Sequence, residues 1–144
     1  MSTYSDVTEI TAWQLAHQLN LRVDLFLLSP DFRRHYPHVA RLSDAARSGP
    51  RNIEEGFVKD RRTFASQVRL ARGSQALVID HLVDACDQRL ITADELNIAQ
   101  RLARRSMTAA TGLIRSLEAT NEDAAARGKR RSRRPIRSVP TGWD

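Results

Sequence analysis

The residues with the clearest chemical capacity are arginines set at helical spacing. Arg62, Arg69 and Arg72 share one stripe, Arg101, Arg104 and Arg105 form a second cluster, and Arg47 and Arg51 stand one turn apart. A guanidinium presents a planar fork of donors that matches phosphate oxygens in pairs, where a lysine ammonium is only a point charge. Residues 1–120 hold sixteen basic residues, and just one of them, Lys59, is a lysine. That bias points to phosphate recognition. Surface ion pairing with Asp80, Asp84, Asp87 and Asp94 is the competing use of the same arginines, and each such pair contributes little. A further basic run, Arg127, Lys129, Arg130, Arg131, Arg133, Arg134 and Arg137, is expected to add a sequence-independent phosphate grip. Its mark is steep salt dependence through counterion release. No aromatic side chain interleaves with it before Trp143, so base stacking is not expected.

Catalytic and metal-binding patterns are weaker. His35 and His38 lie in an expected loop without a third ligand. Asp80, Asp84 and Asp87 share one helix face with His81 beside them, but a metal site there needs partners that the sequence does not supply. Cys86 reads as a small core residue rather than a nucleophile. No phosphate loop, GxSxG or HExxH motif occurs. The expectation is a protein without catalytic residues, cofactor or metal.

Long helices must position the arginines. Strand signals are scarce, and four apolar stripes run at helical steps of three and four. The first is Trp13, Ala16, Leu19, Val23 and Phe26, ended by the Ser29–Pro30 pair. The second is Val39, Leu42, Ala46, Gly49, Ile53 and Gly56, and it passes straight through Pro50, which is expected to bend the helix without ending it. The third is a heptad seam with one polar member: Phe64, Val68, Ala71, Gln75, Val78, Leu82 and Ala85. Asp60 is its expected N-cap. Thr92 and Glu95 then form a capping box ahead of the fourth stripe, Leu96, Ala99, Ala103, Ser106, Ala110, Leu113 and Leu117. Short connections predict an all-α, antiparallel up-down-up-down four-helix bundle over residues 1–120. Leu15, Leu27, Leu70, Leu77, Leu102 and Ile114 fall off the seams, which fits either burial against another subunit or a wide core stripe.

From Asn121 the apolar period is lost, and residues 121–144 read as a disordered basic tail. The net charge of +6 is uneven: seven basic residues against three acids in 121–144 leave +4, and sixteen against fourteen in 1–120 leave +2. A basic arm on a nearly balanced body suggests an anionic partner. No window of eighteen apolar residues or secretory leader is evident, and a single cysteine fits a reducing compartment, so a cytoplasmic location is expected.

The stretch "PRNIEEGF" followed by "RRTFASQVRLARGSQ" resembles the four-helix-bundle proteins encoded in intervening sequences of bacterial 23S ribosomal RNA genes. The family's P-x-N-I-A-E-G signature corresponds to Pro50, Asn52, Ile53, Glu55 and Gly56. Its A-x-G-S signature corresponds to Ala71, Gly73 and Ser74, with Phe64 at the aromatic position. The resemblance covers about residues 10–120. Departures are Ser43 and Asp44 where the family has paired arginines, Glu54 for its alanine, and Leu77 for an acidic residue. The resemblance implies a ring-like homopentamer. A branch similar in fold, the accessory variability determinants of diversity-generating retroelements, binds nucleic acid and a reverse transcriptase. On this reading the signature is architectural: Gly49, Gly56 and Gly73 let helices approach, Asn52 and Glu55 tie them together, and Glu54 lies on a solvated face.

The expected function is therefore a non-enzymatic, homo-oligomeric accessory protein that binds RNA or DNA, with a reverse transcriptase as the candidate protein partner. The alternative is a protein–protein scaffold whose charge serves only solubility.

Overall fold

The computed structural model describes the backbone of residues 4–132 and the side chains of residues 4–119. A 3-10 turn, Val7–Glu9, leads into α1 (Thr11–Leu27), α2 (Pro30–His35), α3 (Val39–Phe57), α4 (Arg61–Asp87) and α5 (Ala93–Ser132). Each long helix packs on two others in the order α1, α3, α4, α5 and back to α1. With short links after α3 and α4, this is an up-down-up-down bundle. Among the described residues no helix is long and apolar enough to cross a membrane.

The caps explain why the helices begin where they do. Asp60 accepts from the Thr63 amide at 2.8 Å to start α4. The capping box before α5 is reciprocal, the Thr92 amide donating to Glu95 at 2.8 Å and the Glu95 amide to Thr92 at 3.0 Å. Helix α4 ends through Arg89, whose φ of 63° is the left-handed conformation usually left to glycine. Helix α3 runs through Pro50 without interruption. The expected tail at 121–144 lies outside the described side chains, while the backbone of α5 continues to Ser132.

Helix α2 was not expected. Six residues are too few to form a periodic stripe, yet Ser29 caps it and Pro30 occupies its first turn. It drives Phe32 and Tyr36 into the bundle, where both are buried. His35 is thus the last residue of α2, and His38 is the N-cap of α3, rather than both lying in a loop.

The four stripes do form the core. All seven members of the α4 seam are buried, including Gln75. The core nonetheless divides into two apolar clusters. One contains Leu19, Ala46, Val78 and Ala103, and the other contains Ala16, Ile53, Ala71 and Ala110. Between them the helices contribute Gly49, Gln75 and Ser106. Gln75 and Ser106 are 1% and 0% exposed, and neither side chain has a hydrogen-bond partner. Off the seams, Leu15, Leu27 and Ile114 are buried, so part of the second apolar face is simply a wide core. Leu70 and Leu77 are not: they stand 59% and 53% exposed on α4.

Candidate nucleic-acid interface

Several of the α3 and α4 residues that carry the resemblance make contacts within the bundle. The Asn52 amide donates to the Ser48 carbonyl and hydroxyl, both at 2.8 Å, and Ser48 meets the Ser74 hydroxyl at 2.8 Å across to α4. Asn52 and Ser74 thus tie the two helices through Ser48, which the sequence reading did not single out; the only clue was its place one turn before Asn52. Gly49 faces α1 and α4, where an added Cβ would lie 3.1 Å from Gln75 Nε2 and 3.5 Å from the Ala16 Cβ. Gly56 is tighter still, against Phe64 and Gln67.

Two expectations need correction. Gly73 does not bring helices of this chain together: it is exposed, and a Cβ there would meet nothing within 4 Å. Nor does Glu55 tie helices. It is exposed, and its neighbour Glu54 makes the link instead, accepting from the Trp13 indole N–H at 2.8 Å. A helix turns 100° per residue, so the adjacent carboxylate leaves the helix in a different direction, away from Trp13.

The arginines occupy separate faces of the bundle. Arg69 forms an ion pair with Glu118, and Arg72 donates to the Thr111 hydroxyl at 3.2 Å. Both therefore reach from α4 onto α5 and are partly committed within the chain. Arg62 is exposed near the start of α4, and Arg51 is exposed on α3. Arg47 sits in a groove between α1 and α3 that also holds Arg33, Asp24 and Asp44, so the charges there balance.

Arg101, Arg104 and Arg105 differ. All three are exposed and unpaired among the described residues. They line an open groove between α5 and α1 together with Asn97, Gln100 and Thr108 of α5 and Thr11 and Leu15 of α1. That lining holds three guanidiniums, two amides and two hydroxyls, and no carboxylate. From Asn97 to Thr108 the polar row extends about 16 Å along the helix at its usual rise. Such a surface can donate to several anionic oxygens at once.

The tail residues Arg127, Lys129, Arg130, Arg131, Arg133, Arg134 and Arg137 lie outside the described side chains. Among the described residues no group of three His, Cys, Asp or Glu side chains is placed to hold a metal ion. His81 has a role that the sequence did not signal, as a hydrogen-bond partner of Tyr36. Compared with protein-family models and with curated proteins, the chain matches none.

Proposed function

We propose that this chain is a non-enzymatic, basic nucleic-acid-binding accessory protein that works as a homo-oligomer. The observation that carries the reading is the α1–α5 groove: three unpaired arginines beside amides and hydroxyls, with no carboxylate among them. Backbone phosphates suit such a lining, and the absence of aromatic rings from it favours contact with the backbone over stacking on bases. The resemblance to the intervening-sequence proteins supports a ring, and a pentamer within that. The similarity to the retroelement accessory proteins supports a reverse transcriptase as neighbour. Repetition around a ring multiplies a modest groove into a continuous belt, so that avidity compensates for weak single contacts.

The test is a titration with labelled RNA and DNA across a salt series. It compares the full chain, a form ending at Thr120, and the triple variant Arg101→Glu, Arg104→Glu, Arg105→Glu. Binding that weakens steeply with salt and is lost in the triple variant supports the reading. Equal binding by the triple variant moves the phosphate grip away from the groove, and no binding at low salt rejects the reading altogether.

A second reading, a protein–protein scaffold, is favoured by two exposed apolar rows. Leu21, Leu25 and Leu28 follow one another on and just beyond α1, and Leu70 and Leu77 do so on α4. These helices do not adjoin in the order of the bundle, so the rows suit contacts between unlike faces of successive copies, the arrangement that closes into rings. Partner binding that survives the arginine reversal would favour this reading.

A further inference from the structure

The connector between α1 and α3 is fastened to α4 by a group of ionisable side chains unrelated to the arginine groove. Tyr36 is 2% exposed, and its hydroxyl lies 2.9 Å from Nδ1 of His81 and 3.0 Å from the His81 carbonyl oxygen. A phenol has one proton to give. When it goes to the carbonyl, the phenol oxygen accepts from Nδ1–H, which leaves Nε2 of His81 free to take up a proton. The His38 ring stands 5.6 Å from the Tyr36 ring and 5.9 Å from the His81 ring, centroid to centroid. The charged groups that face His81 are His38 and Arg41 of the connector and α3, and Asp80 and Asp84 on its own helix.

We propose that His81, with His38 beside it, is an acid-sensitive latch that holds the connector, residues 28–38, on the bundle at neutral pH and loosens it on acidification. A proton on Nε2 puts a cation in a half-buried place already flanked by His38 and Arg41. Asp80 and Asp84 offset part of that charge. Burial and then His38 hold the His81 imidazole below its ordinary value of 6.5, against the pull of the two carboxylates. In an opened connector these restraints are gone, so the open form binds the proton more readily than the closed one. The opening equilibrium therefore rises as pH falls through the ordinary histidine range, and levels off below the closed-state value. What opens is defined: release of the connector withdraws Phe32 and Tyr36 from the larger apolar cluster.

The experiment is amide hydrogen exchange of the full chain from neutral to mildly acidic pH, with intrinsic exchange rates divided out. Protection of residues 30–38 is compared with that of α4 and α5. The expected result is a severalfold rise in the opening constant of the connector alone as pH falls. His81→Asn keeps a donor near the Tyr36 oxygen but cannot titrate in this range, and it should abolish that rise. His38→Asn removes the flanking ring; it should move the His81 titration, followed by the imidazole proton resonances, upward and shrink the rise. A connector whose protection is independent of pH, or one that loosens equally in His81→Asn, overturns the proposal.

Discussion

A methyl group added at Gly56 has no room. It would stand 2.8 Å from Phe64 Cδ1, 2.9 Å from the Gln67 Cβ and 3.1 Å from the Phe64 Cα, so backbone as well as side chains must move. Overpacking of this kind costs about 1–3 kcal/mol, more than the helical preference of alanine over glycine returns. Gly56→Ala is therefore expected to lower the urea midpoint. Gly73 is the opposite case, with open space around its α-carbon. Gly73→Ala should stabilise the fold by up to about 1 kcal/mol. Gly73 also lies between Leu70 and Leu77 on the exposed side of α4, so in the oligomer reading the same substitution should weaken assembly, seen by sedimentation, while the fold gains stability. Gln75 makes a third point. Its amide is buried without a partner, and a buried unpaired polar group costs about 1–3 kcal/mol. Gln75→Leu is expected to raise stability by an amount in that range, read from chemical denaturation; an equal or lower midpoint would mean that the amide is satisfied in solution.

Among the elements, α4 carries the bundle. It packs along both α3 and α5, and its seven seam positions span both apolar clusters. Its start depends on Asp60, whose carboxylate is held below its ordinary value of 3.8, chiefly by the Thr63 backbone N–H. A depressed carboxylate adds stability above its ordinary value, and that stability is lost as pH falls through the lower, folded-state value. Asp60→Ala should therefore unfold at lower urea than the native chain at neutral pH, and the two midpoints should converge in strong acid. A gap that persisted in strong acid would assign the loss to something other than the charged cap. Helix α3 shows how burial overrides local preference. Proline inside a helix costs about 3 kcal/mol, yet Pro50 lies buried in an unbroken helix between Gly49 and Ile53. Where the core gains enough from both sides, the missing amide does not end the helix.

For the whole molecule, the charge distribution makes the quantitative claim. Each phosphate contact contributes a slope of about −0.9 to log K against log salt on duplex DNA, or about −0.7 on a single strand. In the nucleic-acid reading, reversing the three groove arginines should thus make the slope shallower by up to about three per engaged subunit, beyond any change in affinity at one salt concentration. Truncation after Thr120 tests the basic tail separately, because its seven cations are removed with the groove intact. If the reversal and the truncation make the slope shallower independently, groove and tail contact different phosphates. If the truncation alone flattens it, the groove is not the interface.

Much of this architecture follows from the order of residues alone. Four stripes at helical spacing are a one-dimensional pattern, because residues three and four apart share a helix face whatever the rest of the chain does. The caps at Asp60 and at Thr92 with Glu95 are equally local, since donor and acceptor lie three residues apart. Helix α2 escaped because six residues carry too little period to register. The remaining features belong to the tertiary structure. That Glu54 rather than Glu55 meets Trp13, that Ser48 joins Asn52 to Ser74, and that Tyr36 reaches His81 depend on partners 26 to 45 residues apart, whose rotation about their own helices no stripe specifies. The arginines illustrate the same limit. Their type and spacing marked them as candidates for phosphate contact, but only packing separated Arg69 and Arg72, drawn onto α5, from Arg101, Arg104 and Arg105, left unpaired in a groove without a carboxylate. Spacing assigns a side chain to a face, and only the neighbouring helix determines whether that face meets a partner or solvent.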